Sequence, residues 1–265
     1  MNDKRDEQIL WRHLNSLPYF RAMVRAIEDS FYQGVDLPRP VLDLGSGDGH
    51  FTSVAFTQPL DVGIDPWWGP LYESKRYHAY RLLILGDGGI LPFAPHSFSS
   101  VISNSVLEHI PHVDKVIGEI SRVLRPGGRF VFCVPNHRFP ELLLGKQVLS
   151  KVGFSRFADQ YAHFFNRISR HHHCDSPDVW KQRLSSAGLM IEKTWDYFSP
   201  EALHRMEIGH VLGLPALFWK KILGRWILVP EKWNLWFAYQ IARKSFENPF
   251  SPEGVYSFYI TRKAE

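Results

Sequence analysis

The residues with the sharpest chemical meaning are Asp43-Leu-Gly45-Ser46-Gly47-Asp-Gly49. Gly45 and Gly47 permit a tight turn and let a ligand approach the backbone with no Cβ in the way. They follow a short apolar run, Pro40 to Leu44, and precede a helical segment starting near Gly49. Free backbone N–H groups therefore face the space beyond the turn. An ordinary strand-to-helix turn uses the same glycines, so the neighbouring residues decide. A dinucleotide site takes GxGxxG; here the third glycine comes one position early and His50 stands where it belongs. Asp43, just before the turn, repels a pyrophosphate and attracts a ligand carrying an ammonium and a sulfonium.

Two more carboxylates fall at strand ends. Asp65 closes Leu60-Asp-Val-Gly-Ile-Asp65, 22 positions after Asp43, where it can accept from both hydroxyls of a ribose. Asp87, in Gly86-Asp-Gly88, follows Tyr80 to Leu85 and could accept the amino group of an adenine. A solvated turn aspartate is the alternative for each. Candidates for moving a proton are Glu108 and His109, just past the fourth strand, and His171 and His173 in Arg170-His-His-His-Cys174. For His109, packing under the sheet is the favoured reading. Three adjacent histidines cannot all face one point, so at most His171 and His173 share a face, and no metal site is expected. The histidine run reads first as a polar connecting loop and second as acceptor-pocket lining. Cys133 and Cys174 lack CxxC spacing, which gives neither a zinc site nor a disulfide framework and suits a reducing cytoplasm.

The elements that must position these groups alternate. Ile9 to Gln33 reads as helix, broken near Pro18 and stopped at Gly34. Strands are expected at 40–44, 60–65, 80–85, 98–103 and 129–134, with an amphipathic helix over Val113–Leu124 ended by Arg125-Pro-Gly-Gly128. Pro135 to Asp175 shows no regular pattern. Ser176-Pro-Asp178 starts a helix that ends at Gly188. Leu189 to Tyr197 reads as a strand, Pro200 to Phe250 as interrupted aromatic helices, and Gly254 to Arg262 as a last strand. Near-continuous apolar strands alternating with helices imply a parallel sheet covered on both faces, with ligands bound beyond the strands' carboxyl ends.

In this order the motifs resemble those of the class I S-adenosylmethionine-dependent methyltransferases, most closely the small-molecule and lipid methyltransferases. The likeness is carried by Val41-Leu-Asp-Leu-Gly-Ser-Gly-Asp-Gly49, Gly63-Ile-Asp65, Gly86-Asp-Gly-Gly-Ile-Leu-Pro-Phe93, Ser103-Asn-Ser-Val-Leu-Glu-His109 and Leu124-Arg-Pro-Gly-Gly-Arg-Phe130. It implies a Rossmann-like seven-stranded, mostly parallel sheet with helices on both faces, the last strand antiparallel, and an aromatic helical insertion before that strand. It implies S-adenosyl-L-methionine as cofactor, bound by Asp43, Gly45, Ser46 and Gly47 at the methionine part and by Asp65 at the ribose. Asp87 and Gly88 would read the adenine, Pro66 or Trp67 would pack on its face, and Asn104 would lie beside the methionine part or the acceptor. The family has no universal base, so the resemblance nominates none. Ser99 stands where relatives usually carry Asp, at the strand start away from the site, and Trp67-Trp68 is bulky for the family.

The organisation expected is one methyltransferase domain over 1–265: N-terminal helices over 1–38, a cofactor-binding core over 39–135, and acceptor-side or cap elements over 136–175 and 198–253. With 45% hydrophobic and 22% charged residues, wholesale disorder is excluded. Met1 to Gln8 is charged and polar, so no secretory signal is expected and the location expected is cytoplasmic. The 31 Lys and Arg against 27 Asp and Glu give only +4, which allows weak attraction to anionic lipid or RNA but argues for neither, and no nucleic-acid partner is expected. Within Ile208 to Val229 the longest uncharged run is Ile208 to Trp219, twelve residues, too short to span a bilayer, which needs about 20. The stretch either completes the core, walls an apolar acceptor pocket, or lies on a membrane surface through 208–236. The expected function is methyl transfer to a small, apolar or lipid-like acceptor. The alternatives are an RNA or protein methyltransferase, a non-catalytic cofactor-binding protein on the same scaffold, and a nicotinamide oxidoreductase, which His50 and Asp43 disfavour. The oligomeric state is not legible.

Overall fold

The computed structural model describes residues 3–265, without the side chains of 3–6 and 214–216; Met1 and Asn2 lie outside it. Helices α1 (Asp3–Leu14) and α2 (Tyr19–Tyr32) come first, parted at Pro18. Then follow β1 (Val41–Leu44), α3 (His50–Ala55), β2 (Leu60–Asp65), α4 (Trp68–Ser74), β3 (Tyr80–Leu85), β4 (Phe98–Asn104), α5 (Val113–Val123) and β5 (Leu124–Pro135). Next are α6 (Arg138–Glu141), α7 (Leu144–Lys151), α8 (Ser155–Ile168), α9 (Pro177–Ser186) and β6 (Leu189–Tyr197). The chain ends with α10 (Pro200–Leu212), α11 (Leu214–Leu223), α12 (Lys232–Phe246) and β7 (Tyr256–Lys263).

The seven strands form one sheet in the order β3-β2-β1-β4-β5-β7-β6. The first five pair in parallel; β7 lies antiparallel between β5 and β6. The order of the sheet reverses between β1 and β4, so a crevice opens beyond the carboxyl ends of these two strands. Gly45 follows β1 and Asn104 ends β4, which puts the glycine turn and the β4 end on either side of that crevice.

Each sheet face carries its own core. On one side α2, α10 and α12 bring Met23, Ile27, Phe31, Leu203 and Tyr239 against Ile102, Val131 and Phe258. On the other, α5 and α9 bring Val116, Ile120, Trp180 and Leu184 against Leu42, Val101 and Phe132. The α5 spacing of Val113, Val116, Ile117, Ile120 and Val123 is what turns one stripe inward.

Two expectations need correction. Residues 135–175 are not irregular: they form α6, α7 and α8. In α8 the inward residues are Ala158, Ala162 and Phe165, a regular helical stripe masked in the sequence by exposed Phe157, Phe164 and Ile168. The fifth strand starts at Leu124 rather than Arg129. The Arg125-Pro-Gly-Gly128 turn is a bulge within it: Phe98 pairs with Leu124, and Ser100 with Arg129.

Candidate functional site

The glycine turn is tied to the neighbouring strand. Gly45 and Ser46 donate their N–H groups to the Ile64 carbonyl at 2.8 and 3.1 Å. Gly45, Gly47 and Gly49 all have positive φ (78°, 54° and 72°). A Cβ at Gly45 would stand 2.3 Å from Val106 Cγ1, so the β4 end presses on the turn and only glycine fits.

The two acids nearest the turn brace it. Asp43 is buried, and its Oδ2 accepts from Thr52 Oγ1 at 2.7 Å and Tyr80 OH at 2.6 Å. Burial pushes its carboxyl up to about 6, against the opposing pull of these two hydroxyls. Asp65 accepts from Gly47 N at 2.9 Å and Trp67 N at 2.8 Å, and burial raises its pKa as well. Asp87 is exposed and accepts from Gly89 N at 2.8 Å.

Two cavities meet at this turn, sharing Gly45 and Val106. The first, about 490 Å³, is lined by Asp43, Gly45, Ser46, Gly47 and Asn104, with Arg21 and Arg25 from α2 and Lys220 and Trp226 from the C-terminal insertion. The second, about 440 Å³, is lined by Pro66, Trp67, Asp87 and Gly88, with Ile110 and His109 opposite. Asp65 lines neither; its carboxylate holds Gly47 of the first and Trp67 of the second. Ser46 Oγ, buried in the first cavity, has no partner among the described residues. Trp67 is 67% exposed and forms an open wall rather than a packed one.

The sequence reading missed what holds the β4 end. Glu28, fully buried on α2, accepts four hydrogen bonds. Arg25 Nη1 and Asn104 Nδ2 donate to its Oε2, both at 2.7 Å. Ser105 Oγ and Tyr197 OH donate to its Oε1 at 3.0 and 2.9 Å. Asn104 Oδ1 in turn accepts from Cys133 Sγ at 3.1 Å. Burial alone would lower the Arg25 pKa, but Glu28 outweighs it and holds the guanidinium charged. Arg21 reaches solvent at the cavity mouth, and its surroundings and Arg25 lower its pKa. Only a charged pair at i, i+3 on an apolar helix hinted at this cluster.

Three of the proton-transfer candidates, Glu108, His109 and His171, lie together but off the first cavity. Glu108 is buried, its Oε2 has no partner among the described residues, and burial pushes it up to about 8. His109, partly exposed, bonds the Arg170 carbonyl through Nδ1 at 3.0 Å, and its Nε2 stands 3.8 Å from Glu108 Oε1. Its ring stacks on His171 at 5.5 Å. Burial and His109 lower His171 to about 3, which keeps it neutral. His173 turns away to Asp175 at 3.2 Å. Among the described residues no group of three or more His, Cys, Asp or Glu could hold a metal ion.

In the C-terminal insertion, α10 and α12 do complete the core: α12 buries Leu235, Tyr239, Ala242 and Phe246. Trp226 reaches the first cavity, where Arg21 lies 5.4 Å over its ring, whereas Trp219, Trp233 and Trp236 are exposed. No helix among the described residues is long and apolar enough to cross a membrane.

Comparison with known proteins agrees with this geometry. Residues 42–132 match the family described as a methyltransferase domain. Over 153 residues the chain is 31% identical to a malonyl-[acyl-carrier protein] O-methyltransferase of Methylococcus capsulatus, covering 54% of this chain and 52% of that protein. Over 102 residues it is 30% identical to a demethylmenaquinone methyltransferase of Streptomyces avermitilis, covering 37% and 42%. The chain thus spans about half the length, or less, of these relatives. A solved S-adenosylmethionine-dependent methyltransferase of Thermotoga maritima superposes with a TM-score of 0.55 at 12% identity, over 93% of this chain and 91% of that one, a likeness of fold alone. The matched segment holds the glycine turn, Asp65, Asp87 and Asn104, and over this core the chain is similar to the methyltransferase domain family.

Proposed function

We propose that the chain transfers the methyl group of S-adenosyl-L-methionine to a small, apolar or lipid-like acceptor. The observation that carries this is the double cavity waisted at Gly45: one polar lobe with arginines, one more apolar lobe ending in Asp87 and Gly88. The residues fit the cofactor. The unpartnered Ser46 Oγ and the open glycine turn suit the amino-acid end, and the Asp87 and Gly88 lobe suits the adenine. Pro66 and Trp67 flank the base, and Asp65 shapes the turn from behind while its remaining lone pairs serve the ribose. The bound cofactor supplies a methyl group on a sulfonium, an electrophile needing no activation by the protein.

The chain's own work is then alignment and exclusion of water. Arg25 is committed to Glu28 and Lys220 to Glu73, so Arg21 is the cation left to meet a carboxylate in the first lobe. Asn104, fixed by Glu28 and Cys133, sets the edge where donor and acceptor meet. Leu17, Phe51 and Trp226 give that lobe apolar walls, which favours an acceptor with little charge. Glu108, His109, His171 and His173 are the groups to test should the acceptor have to lose a proton. The names of the relatives, malonyl-[acyl-carrier protein] and demethylmenaquinone methyltransferases, support small acceptors over nucleic acid. We propose the division made above, with N-terminal helices over 1–38, a cofactor-binding core over 39–135 and acceptor-side or cap elements over 136–175 and 198–253, and a cytoplasmic location with peripheral membrane contact through 208–236.

The test is transfer of labelled methyl from S-adenosylmethionine to a panel of apolar phenols, quinols and carboxylic acids, read by mass. A labelled product on an apolar acceptor supports the reading. Cofactor binding with no product on any acceptor class would favour the non-catalytic alternative.

A further inference from the structure

We infer that the α11–α12 face docks on an anionic lipid bilayer, so that the acceptor enters the cleft as an amphiphile dissolved in that bilayer. The second half of this inference rests on the methyl-transfer reading; the first stands on the surface alone.

Helix α11 is apolar around most of its circumference, yet none of its described side chains is buried. Leu217, Phe218, Ile222 and Leu223 are all at least half exposed. A helix of that composition normally lies inside a core or against lipid. Helix α12 is two-faced. Leu235, Tyr239, Ala242 and Phe246 point into the protein, while Trp233 and Phe237, 75% and 70% exposed, point out. Leu228 and Val229, on the segment between the helices, are exposed too.

Charge says what covers this face. Residues 208–246 carry six Lys or Arg against one acid, Glu231. The whole chain has 31 against 27, which leaves 25 against 26 elsewhere, so the net positive charge of the protein resides in this segment. Lys221, Arg225 and Lys232 are exposed around the apolar side chains. Aromatic and aliphatic residues ringed by cations are the pattern of a helix lying in an anionic interface. A second copy of the chain is a poorer occupant, because it would set one basic segment against another.

The face also adjoins the cleft. Lys220 of α11 bonds Glu73 of α4 at 3.0 Å, and Lys220 and Trp226 both line the first cavity. A bilayer against the outer side of α11 therefore lies next to the mouth through which an acceptor reaches Asn104.

The test is co-sedimentation of the full chain with vesicles of phosphatidylcholine alone and of an equal mixture of phosphatidylcholine and phosphatidylglycerol. Binding is expected to the mixed vesicles and to be much weaker on the neutral ones. Lys221→Gln with Arg225→Gln should weaken binding about 25-fold, taking roughly fivefold for each cation near an anionic surface. Trp233→Ser with Phe237→Ser should weaken it further while leaving thermal unfolding unchanged, since both side chains are exposed. Equal binding to both vesicles, no binding, insensitivity to both pairs, or a dimer that the Trp233/Phe237 pair dissolves would each overturn the docking. Titration with S-adenosylhomocysteine separates the two readings: vesicle binding without cofactor binding sinks methyl transfer and leaves docking, and the reverse sinks docking alone.

Discussion

Glu28→Gln is the change whose consequence follows most directly from the coordinates. The Glu28 carboxylate collects four donors with no solvent exposure: Arg25, Asn104, Ser105 and Tyr197. Glutamine fills the same space but removes the charge and turns one acceptor oxygen into an NH2 group that faces donors. Whichever way the amide turns, two of the four lose their acceptor. If the amide keeps its oxygen on Ser105 and Tyr197, Arg25 is left as an unpaired charge, and removing one member of a buried pair costs about 3–5 kcal/mol. The Arg25 side chain keeps 22% exposure, which places the expected loss near the lower end, about 3 kcal/mol. Tyr197→Phe, which removes one neutral donor and leaves the other three, should cost only about 1 kcal/mol. Urea unfolding of the three proteins at neutral pH measures both losses. Because Asn104 is oriented by Glu28, affinity for S-adenosylhomocysteine should also fall about fivefold in the glutamine variant, by the roughly 1 kcal/mol that a hydrogen bond contributes. A Glu28→Gln protein within about 1 kcal/mol of wild type, and no worse than Tyr197→Phe, would refute the claim that this carboxylate organises the β4 end.

Three further outcomes are expected. Arg21→Met should weaken S-adenosylhomocysteine binding by roughly 10- to 100-fold, the range for a hydrogen bond to a charged group, with unfolding shifted by less than about 0.5 kcal/mol because the residue is exposed; calorimetry and urea unfolding check both. Gly45→Ala should lower stability by about 3 kcal/mol, from left-handed strain and overlap with Val106, and adding Val106→Ala should restore the overlap part but not the strain, as read by urea midpoints. Glu108 makes stability fall with rising pH: its folded carboxyl titrates at about 8, the unfolded one near 4.3, so the stability it gives is whole below the lower value and is lost as pH rises through the upper. Glu108→Gln should therefore match wild type near about pH 4 and exceed it by roughly 2 kcal/mol or more near about pH 9; curves that stay parallel would place the carboxylate in solvent.

The β/α alternation was legible because β1 and β2 are short runs bounded by Pro40 and Gly45 and by Pro59 and Pro66, because Gly86 closes β3, and because Val113 to Val123 keeps one helical stripe. The glycine turn was legible for a steric reason: three residues with positive φ within five positions have few substitutes for glycine. The roles of the acids were less so. Sequence placed Asp43, Asp65 and Asp87 at three neighbouring strand ends. It could not show that Asp43 bonds Thr52 and Tyr80, or that Asp65 bonds backbone N–H groups, because those partners come from other elements. Glu28 was invisible for the same reason, since its partners on β4 and β6 lie 76 and 169 positions away. Helix α8 escaped notice because its outward face is as aromatic as its inward one. The same excess of exposed aromatics in α11 and α12 left core, pocket and membrane readings open in the sequence. The structure buries one face of α12 and none of α11's described side chains.

The central claim is that the cleft at the glycine turn receives a sulfonium nucleoside and not a dinucleotide. Calorimetric titration of the purified chain with S-adenosylhomocysteine, with NAD as comparison and Asp87→Ala as control, tests it most directly. Saturable one-to-one binding of the nucleoside, weakened in the Asp87 variant, with no heat from NAD, is the predicted result. Binding of NAD, or no binding of S-adenosylhomocysteine by a protein that unfolds cooperatively, would contradict it.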